Sequence, residues 1–270
     1  MKIAIFYENF LEGIGKEGRP EKETLAELKN FGLNRVYMSY QTMAEREAEL
    51  TALLEELQLG IEGYYWFYDF GHHPEDESWK NLIDMAERTG AGSVLIVPGM
   101  VTEQKPQERQ RCLENMAFVL KRAVDYGKNK GIVVTMEDFD GLDAPYCCVD
   151  GLKWFLDHVD GLKCGFDTGN FIIDGENELE ALDVFIDRIF AVHLKDRAKQ
   201  PHRPMDKAKY GRDGHAVYAA PVGSGYIRIK EIIDRLKSFK YEGTWIIELF
   251  DYSDMLEGLR QSIEWVMLNG

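Results

Sequence analysis

Four residues of this chain could hold one hard cation: Glu137 in TMEDF, Asp167 in CGFDTGN, His193 in FAVHLKD and Glu248 in WIIELF. Each directly follows a short apolar run, the pattern of a strand buried on both faces of a parallel sheet. Polar residues at the C-terminal tips of such strands stand where α/β barrels and doubly wound sheets place their chemistry. Oxygen ligands with one imidazole suit Mn²⁺, Mg²⁺, Co²⁺ or Zn²⁺, and no thiolate pair accompanies them to select a softer ion. Any one of them alone reads more simply as a helix cap, a solvated loop carboxylate or a satisfied core histidine. Four of them, on four consecutive strands, would repel one another and resist desolvation unless a cation neutralised them.

The elements that must position these residues alternate along the chain. Gly131 to Phe139 is a β-branched run that stops at the acidic pair Glu137-Asp138. Similar runs predict strands over Lys2–Tyr7, Leu33–Tyr40, Ile61–Phe70, Ser93–Val97, Leu162–Asp167, Ile189–Leu194 and Thr244–Leu249. Between them, apolar residues at helical spacing predict helices over Pro20–Phe31, Met43–Leu57, Trp79–Arg88, Gln104–Lys128, Val149–Val159, Leu179–Ile186, Ile229–Phe239 and Met255–Met267. The segment between Leu194 and Ile229 reads as an irregular insertion. Eight strand–helix units in this length predict a (β/α)8 TIM barrel of the α/β class, formed as one domain over residues 1–270.

Composition narrows the partners. With 270 residues and 45% hydrophobic content the chain can build one large core, and no Pro/Gly/Ser-rich linker divides it. A net charge of −15 repels a phosphate backbone, so no nucleic-acid partner is expected. Apolar runs fall short of a membrane span, Glu8 comes too early for a signal peptide, and the four cysteines show no CxxC pairing. The expectation is a cytoplasmic protein with reduced thiols and no membrane association.

Glu at the fifth strand, D-x-G-N at Asp167–Asn170, H-x-x-D at His193–Asp196 and Glu at the eighth strand resemble the xylose isomerase-like sugar epimerase/isomerase superfamily. Val222-Gly223-Ser224-Gly225 resembles that superfamily's V-G-x-G element. The resemblance spans the chain in spacing, and its sharp motifs lie in residues 131 to 250. It implies that Glu137, Asp167, His193 and Glu248 bind one divalent metal ion. The expected reaction is isomerisation or epimerisation of a ketose or ketose phosphate. A metal acting as a Lewis acid stabilises the developing enediolate, while Glu137 and Glu248 serve as bases on opposite faces of the reacting carbon. Asp196 is the expected partner behind the ligands.

The chain departs from ketohexose 3-epimerases at Asn170, where many carry histidine, at Lys199, where they carry arginine, and at Asp143, where a glutamate often contacts the sugar. D-x-G-N is at home among pentulose-phosphate epimerases. Lys195, Arg197, Lys199, Arg203, Lys207, Lys209 and Arg212 crowd the insertion after the seventh strand, opposed only by Asp196, Asp206 and Asp213. Barrels often bind phosphate in the loops after strands seven and eight, so this segment is expected to close over the substrate and contact an anionic group. His72, at the expected end of the third strand, together with Trp66 and Tyr7, are further candidates for substrate contact. Alternative readings are a dehydratase of an inosose or dehydroshikimate-like ring, an endonuclease IV-like enzyme and a non-catalytic sugar-binding barrel. The endonuclease needs more histidines than the six present, and complete ligands argue against a non-catalytic barrel. Homo-oligomers are common among look-alikes.

Overall fold

Apolar runs too short to be helices can hide both faces only inside a sheet covered by helices. A computed structural model describes residues 1–270 and shows that sheet closed on itself. Its parallel strands are β1 (Ile3–Phe6), β2 (Arg35–Ser39), β3 (Gly60–Phe67), β4 (Ser93–Val97), β5 (Val133–Glu137), β6 (Lys163–Asp167) and β7 (Ile189–Leu194). After an insertion holding β8 (Asp196–Ala198), β9 (Lys209–Tyr210) and β10 (Ala216–Ala220), the eighth barrel strand is β11 (Trp245–Ile247). β1 pairs with both β2 and β11, which closes an eight-stranded TIM barrel.

The helices are α1 (Tyr7–Glu17), α2 (Glu21–Asn30), α3 (Tyr40–Leu57), α4 (Trp79–Thr89), α5 (Pro106–Lys130), α6 (Val149–His158), α7 (Glu178–Phe185), α8 (Ile229–Ser238) and α9 (Met255–Asn269). Their apolar faces follow the sequence pattern: α8 buries Ile229, Ile232, Ile233 and Leu236, one stripe at helical spacing. None is long and apolar enough to cross a membrane.

Alternation along each strand separates two cores. A large cluster fills the layer between strands and helices. A small one fills the barrel interior: Ala4, Phe6, Tyr37, Tyr65, Leu95, Ala191 and Ile246. Residues two positions beyond these interior ones, toward the strand C-termini, form the next inward layer, where His193 and Glu248 stand.

Three features differ from the sequence expectation. Helix α1 was not predicted, because Gly13 and Gly15 dilute its periodicity. Gly13 is there for contact, since a Cβ on it would lie 2.7 Å from Leu256 of α9. The third strand ends at Phe67 rather than Phe70, which leaves His72 in the loop beyond it. The insertion is ordered: β10 pairs antiparallel with β8 and with β9 in a three-stranded sheet over the barrel mouth. Strands of two to five residues that pair across long gaps carry too little local pattern to be read in advance.

Candidate metal centre

β5, β6, β7 and β11 are adjacent in the barrel, so the residues at their C-terminal ends must meet. Glu137, Asp167, His193 and Glu248 are all buried there, and one ligand atom from each lies within 4.8 Å of the others. His193 Nδ1 is 2.7 Å from Glu137 Oε2 and 3.3 Å from Glu248 Oε2. Yet none of Glu137 Oε2, Asp167 Oδ2, His193 Nδ1 and Glu248 Oε2 has a hydrogen-bond partner. Four buried ligand atoms crowded together without an aligned hydrogen bond are a costly arrangement that a coordinated cation resolves. The donor set of carboxylate oxygens and one imidazole nitrogen fits a divalent ion of the Mg²⁺, Mn²⁺, Co²⁺ or Zn²⁺ type.

The surroundings hold these atoms in place. The ring of His193 is boxed edge-on by Phe6 and Tyr37, with centroids 5.0 and 5.3 Å away. Asp167 Oδ1 accepts from the Gly169 N–H at 2.7 Å, which leaves Oδ2 to face the centre. Lys195, two residues past His193, reaches back: its Nζ lies 2.5 Å from Glu248 Oε1 and 3.1 Å from Asp167 Oδ2, and it donates to Asn170 Oδ1 at 2.8 Å.

Charge is out of balance here. Burial raises Glu137, and raises Asp167 to about 7. For Glu248 burial is outweighed by Lys195 and His193, which hold it near 2. Burial alone would lower His193, but Glu137 and Glu248 prevail and carry it to about 10. Asp138, which sequence reasoning passed over, adds a further buried carboxylate. Its Oδ1 accepts from the Asp167 N–H at 3.3 Å and its Oδ2 has no partner. Four carboxylates thus face one ammonium and one imidazole, a deficit that a divalent cation offsets.

Above the centre opens a cavity of about 360 Å³, within the usual range for small-molecule sites. Glu137, Lys195 and Glu248 form its floor, Asn170, Asp196 and Arg197 one side, and Phe6, Tyr65, Phe67, Phe139 and Phe250 an aromatic wall. Several sequence candidates lie elsewhere. Tyr7 opens α1, is fully buried and bonds Glu21 Oε1 through its hydroxyl; its neighbour Phe6 lines the cavity instead. Trp66 points to the helix layer and packs edge-on against Tyr40, while Tyr65 and Phe67, one residue either side, point inward. Asp143 lies outside the cavity, its carbonyl accepting from the Val101 N–H. The carboxylate inside is Asp140, missed in the sequence, which holds Arg197 Nη2 at 2.9 Å and Lys209 Nζ at 2.5 Å. Lys199 is exposed, its ammonium 5.2 Å from the Tyr226 ring. Arg203 and Arg212 pair with Asp254 and Asp174 away from the site. His72 does not line the cavity either.

A family model described as xylose isomerase-like TIM barrel matches residues 25–267. The chain belongs to that family. Among curated relatives, the inosose dehydratase of Lacticaseibacillus casei is 27% identical over 152 residues, covering 54% of this chain and 50% of the relative. The chain thus spans about half the length of the curated relatives it matches. Among solved structures, the IOLI protein with a bound zinc atom superposes with a TM-score of 0.75 at 17% identity, covering 99% of this chain and 97% of that one. The D-allulose 3-epimerase of Methylomonas sp. in complex with D-allulose gives 0.71 at 15% identity, covering 93% and 90%.

In this xylose isomerase-like barrel Asp196 does not back a metal ligand. Its carboxylate accepts the N–H groups of Arg197, Gly223, Gly225 and Ile227 at 2.8 to 3.2 Å, clamping the Val222–Gly225 turn beside the cavity. A Cβ on Gly225 would lie 2.1 Å from Asp196 Oδ1 and 2.3 Å from the Arg197 carbonyl, so the clamp tolerates no side chain. Gly225→Ala is expected to lower Tm by about 4–8 °C, the shift for about 2 kcal/mol in a chain of this size. An unchanged melting curve would show that the turn does not depend on this close approach.

Proposed function

We propose that this protein is a divalent-metal-dependent isomerase or epimerase of a ketose or ketose phosphate, acting by proton transfer at the carbon next to the carbonyl. What supports the reading most is the pair of unpartnered glutamate oxygens, Glu137 Oε2 and Glu248 Oε2, on either side of His193 Nδ1 at the floor of a sugar-sized cavity. A divalent cation held by Glu137, Asp167, His193 and Glu248 would supply Lewis-acid polarisation of the substrate's oxygens. Glu137 takes the proton from carbon, and Glu248 returns one to the opposite face. The aromatic wall excludes water from the reacting carbon and packs the apolar face of the sugar. Lys195 and Asn170, linked to one another, donate to substrate hydroxyls. The relative that carries bound D-allulose supports a sugar ligand by analogy of fold.

A second reading is a lyase that dehydrates an inosose or dehydroshikimate-like ring. It rests on the asymmetry of the two bases: Glu248 is already engaged by Lys195, whereas Glu137 is not. One glutamate not paired with the lysine, beside an ammonium, suits proton abstraction with protonation of a departing hydroxyl, and the curated relatives are inosose dehydratases. Incubation in deuterated water with ketoses, ketose phosphates and inososes, read by NMR and mass spectrometry, separates the two. Deuterium next to the carbonyl with unchanged composition supports epimerisation or isomerisation, and loss of water supports the lyase. If no member of the panel exchanges or reacts, both readings fall.

Anion recognition is testable at the cavity edge. Arg197 faces the cavity and Lys199 does not, so Arg197→Met is expected to raise KM about 10-fold or more, equivalent to about 1.4 kcal/mol. Lys199→Ala should leave it within about two-fold. Equal effects at the two positions would contradict this placement.

A further inference from the structure

A second group of ligand-type side chains lies outside the cavity, where the loop after β3 meets the start of α5. Beyond Phe67 the chain turns back on itself, with the His73 N–H donating to the Asp69 carbonyl at 2.8 Å. Asn115 Nδ2 of α5 donates to the Gly71 carbonyl at 2.8 Å and pins the turn. His72 Nδ1 then sits 2.6 Å from Asp69 Oδ1. In the tautomer whose Nδ1–H donates to Asp69, the other ring nitrogen, Nε2, directs its lone pair at Glu103 and Cys112. Cys112 is 1% exposed, on the buried face of α5 with Met116 and Val119. Its Sγ is 4.0 Å from His72 Nε2. Glu103 Oε2 is buried and has no hydrogen-bond partner.

We propose that His72 Nε2, a carboxylate oxygen of Glu103 and Cys112 Sγ form a second, zinc-type cation site, with Asp69 as the positioning carboxylate behind the histidine. The three donor atoms lie within 4.8 Å of one another. Two ligands of one tetrahedral zinc ion, one nitrogen and one sulfur, stand roughly 3.6 Å apart by their bond lengths, so His72 and Cys112 need little adjustment, while the Glu103 carboxylate, in hydrogen-bond contact with His72 Nε2, swings back to admit the ion. A mixed nitrogen, oxygen and sulfur set selects Zn²⁺ or Co²⁺ over Mg²⁺. A carboxylate on the far ring nitrogen is the usual support of a metal-bound histidine, because it fixes the tautomer and raises ligand basicity. On binding, the Cys112 S–H gives its proton to solvent as the sulfur–metal bond forms. The His72 side chain is 39% exposed, so the fourth position opens to water. Such an ion staples the loop after β3 to α5 at the edge of the catalytic face.

The competing arrangement is a protonated His72 held between Asp69 and Glu103, with Cys112 serving only as packing. Titration of the full chain with Co²⁺ decides between them, because a thiolate-to-cobalt charge-transfer band cannot come from the first centre, which offers no sulfur. The band is expected at saturation in the native protein and in Cys148→Ser, a control needed because Cys148 lies near Asp174 and Glu176. It should vanish in Cys112→Ser and in His72→Gln, the latter at a half-exposed position where folding is not at stake. Asp69→Asn should keep the band but weaken Co²⁺ affinity about 10- to 100-fold. Absence of the band in the folded native protein, or its survival in Cys112→Ser, would overturn the site. Failure of the sugar chemistry would leave this measurement untouched.

Discussion

Stripping divalent cations from the protein with a chelator is expected to abolish turnover and lower Tm by about 5–10 °C, with both restored by Mg²⁺, Mn²⁺, Co²⁺ or Zn²⁺. The reason is charge. Glu137, Asp138, Asp167 and Glu248 are buried together, and only Lys195 and His193 oppose them. Any ligand that binds only the folded chain stabilises it by mass action, about 2.7 kcal/mol at a hundred times Kd. For a chain of this size that corresponds to roughly 2–4 °C per kcal/mol. Thermal melts with and without chelator, alongside metal analysis, measure this directly. Identical melts and full activity after complete removal would mean that Lys195 alone satisfies the carboxylates, and the proposed function would lose its basis.

Glu137→Gln should reduce kcat by about 10²–10⁴, the range for loss of a positioned general base, while leaving the fold and most of the cation affinity in place. The amide keeps an oxygen ligand but cannot accept a proton from carbon. Its partner substitutions sort the two readings. In a two-base epimerase, Glu248→Gln blocks inversion but leaves solvent exchange at the reacting carbon through Glu137. In a lyase, Lys195→Met removes the acid for the departing hydroxyl and suppresses water loss more strongly than exchange. Near-native exchange in Glu137→Gln would remove that residue from the chemistry, whichever product forms.

How much of this was legible beforehand depended on the range of the interaction involved. The barrel was legible because buried strands and amphipathic helices leave local patterns, as in VVTME and in the Ile229, Ile232, Ile233, Leu236 stripe. The four candidate ligands were legible because each terminates such a run. The substrate wall was not. In Tyr64-Tyr65-Trp66-Phe67-Tyr68 every residue is aromatic, so composition cannot say which phase points inward. That phase comes from the register of β3 against β2 and β4, and the β2 pairing carries an irregularity between Val36 and Tyr37. Trp66 therefore faces the helices while Tyr65 and Phe67 face the cavity.

Charge pairing in the insertion was equally hidden. Seven basic residues look alike in sequence, yet Arg197 and Lys209 meet Asp140 at the cavity, whereas Arg203 and Arg212 meet Asp254 and Asp174 outside it. Asp196 looked like a support for His193 because it lies three residues away, and its carboxylate instead faces the glycine turn some thirty residues on. Local pattern dictates strand, helix and the identity of the residue at each strand tip, since these follow from neighbours along the chain. Which tips meet, which aromatic turns inward and which carboxylate answers which cation follow only from closing the barrel, because those contacts join residues that propensity and periodicity never compare.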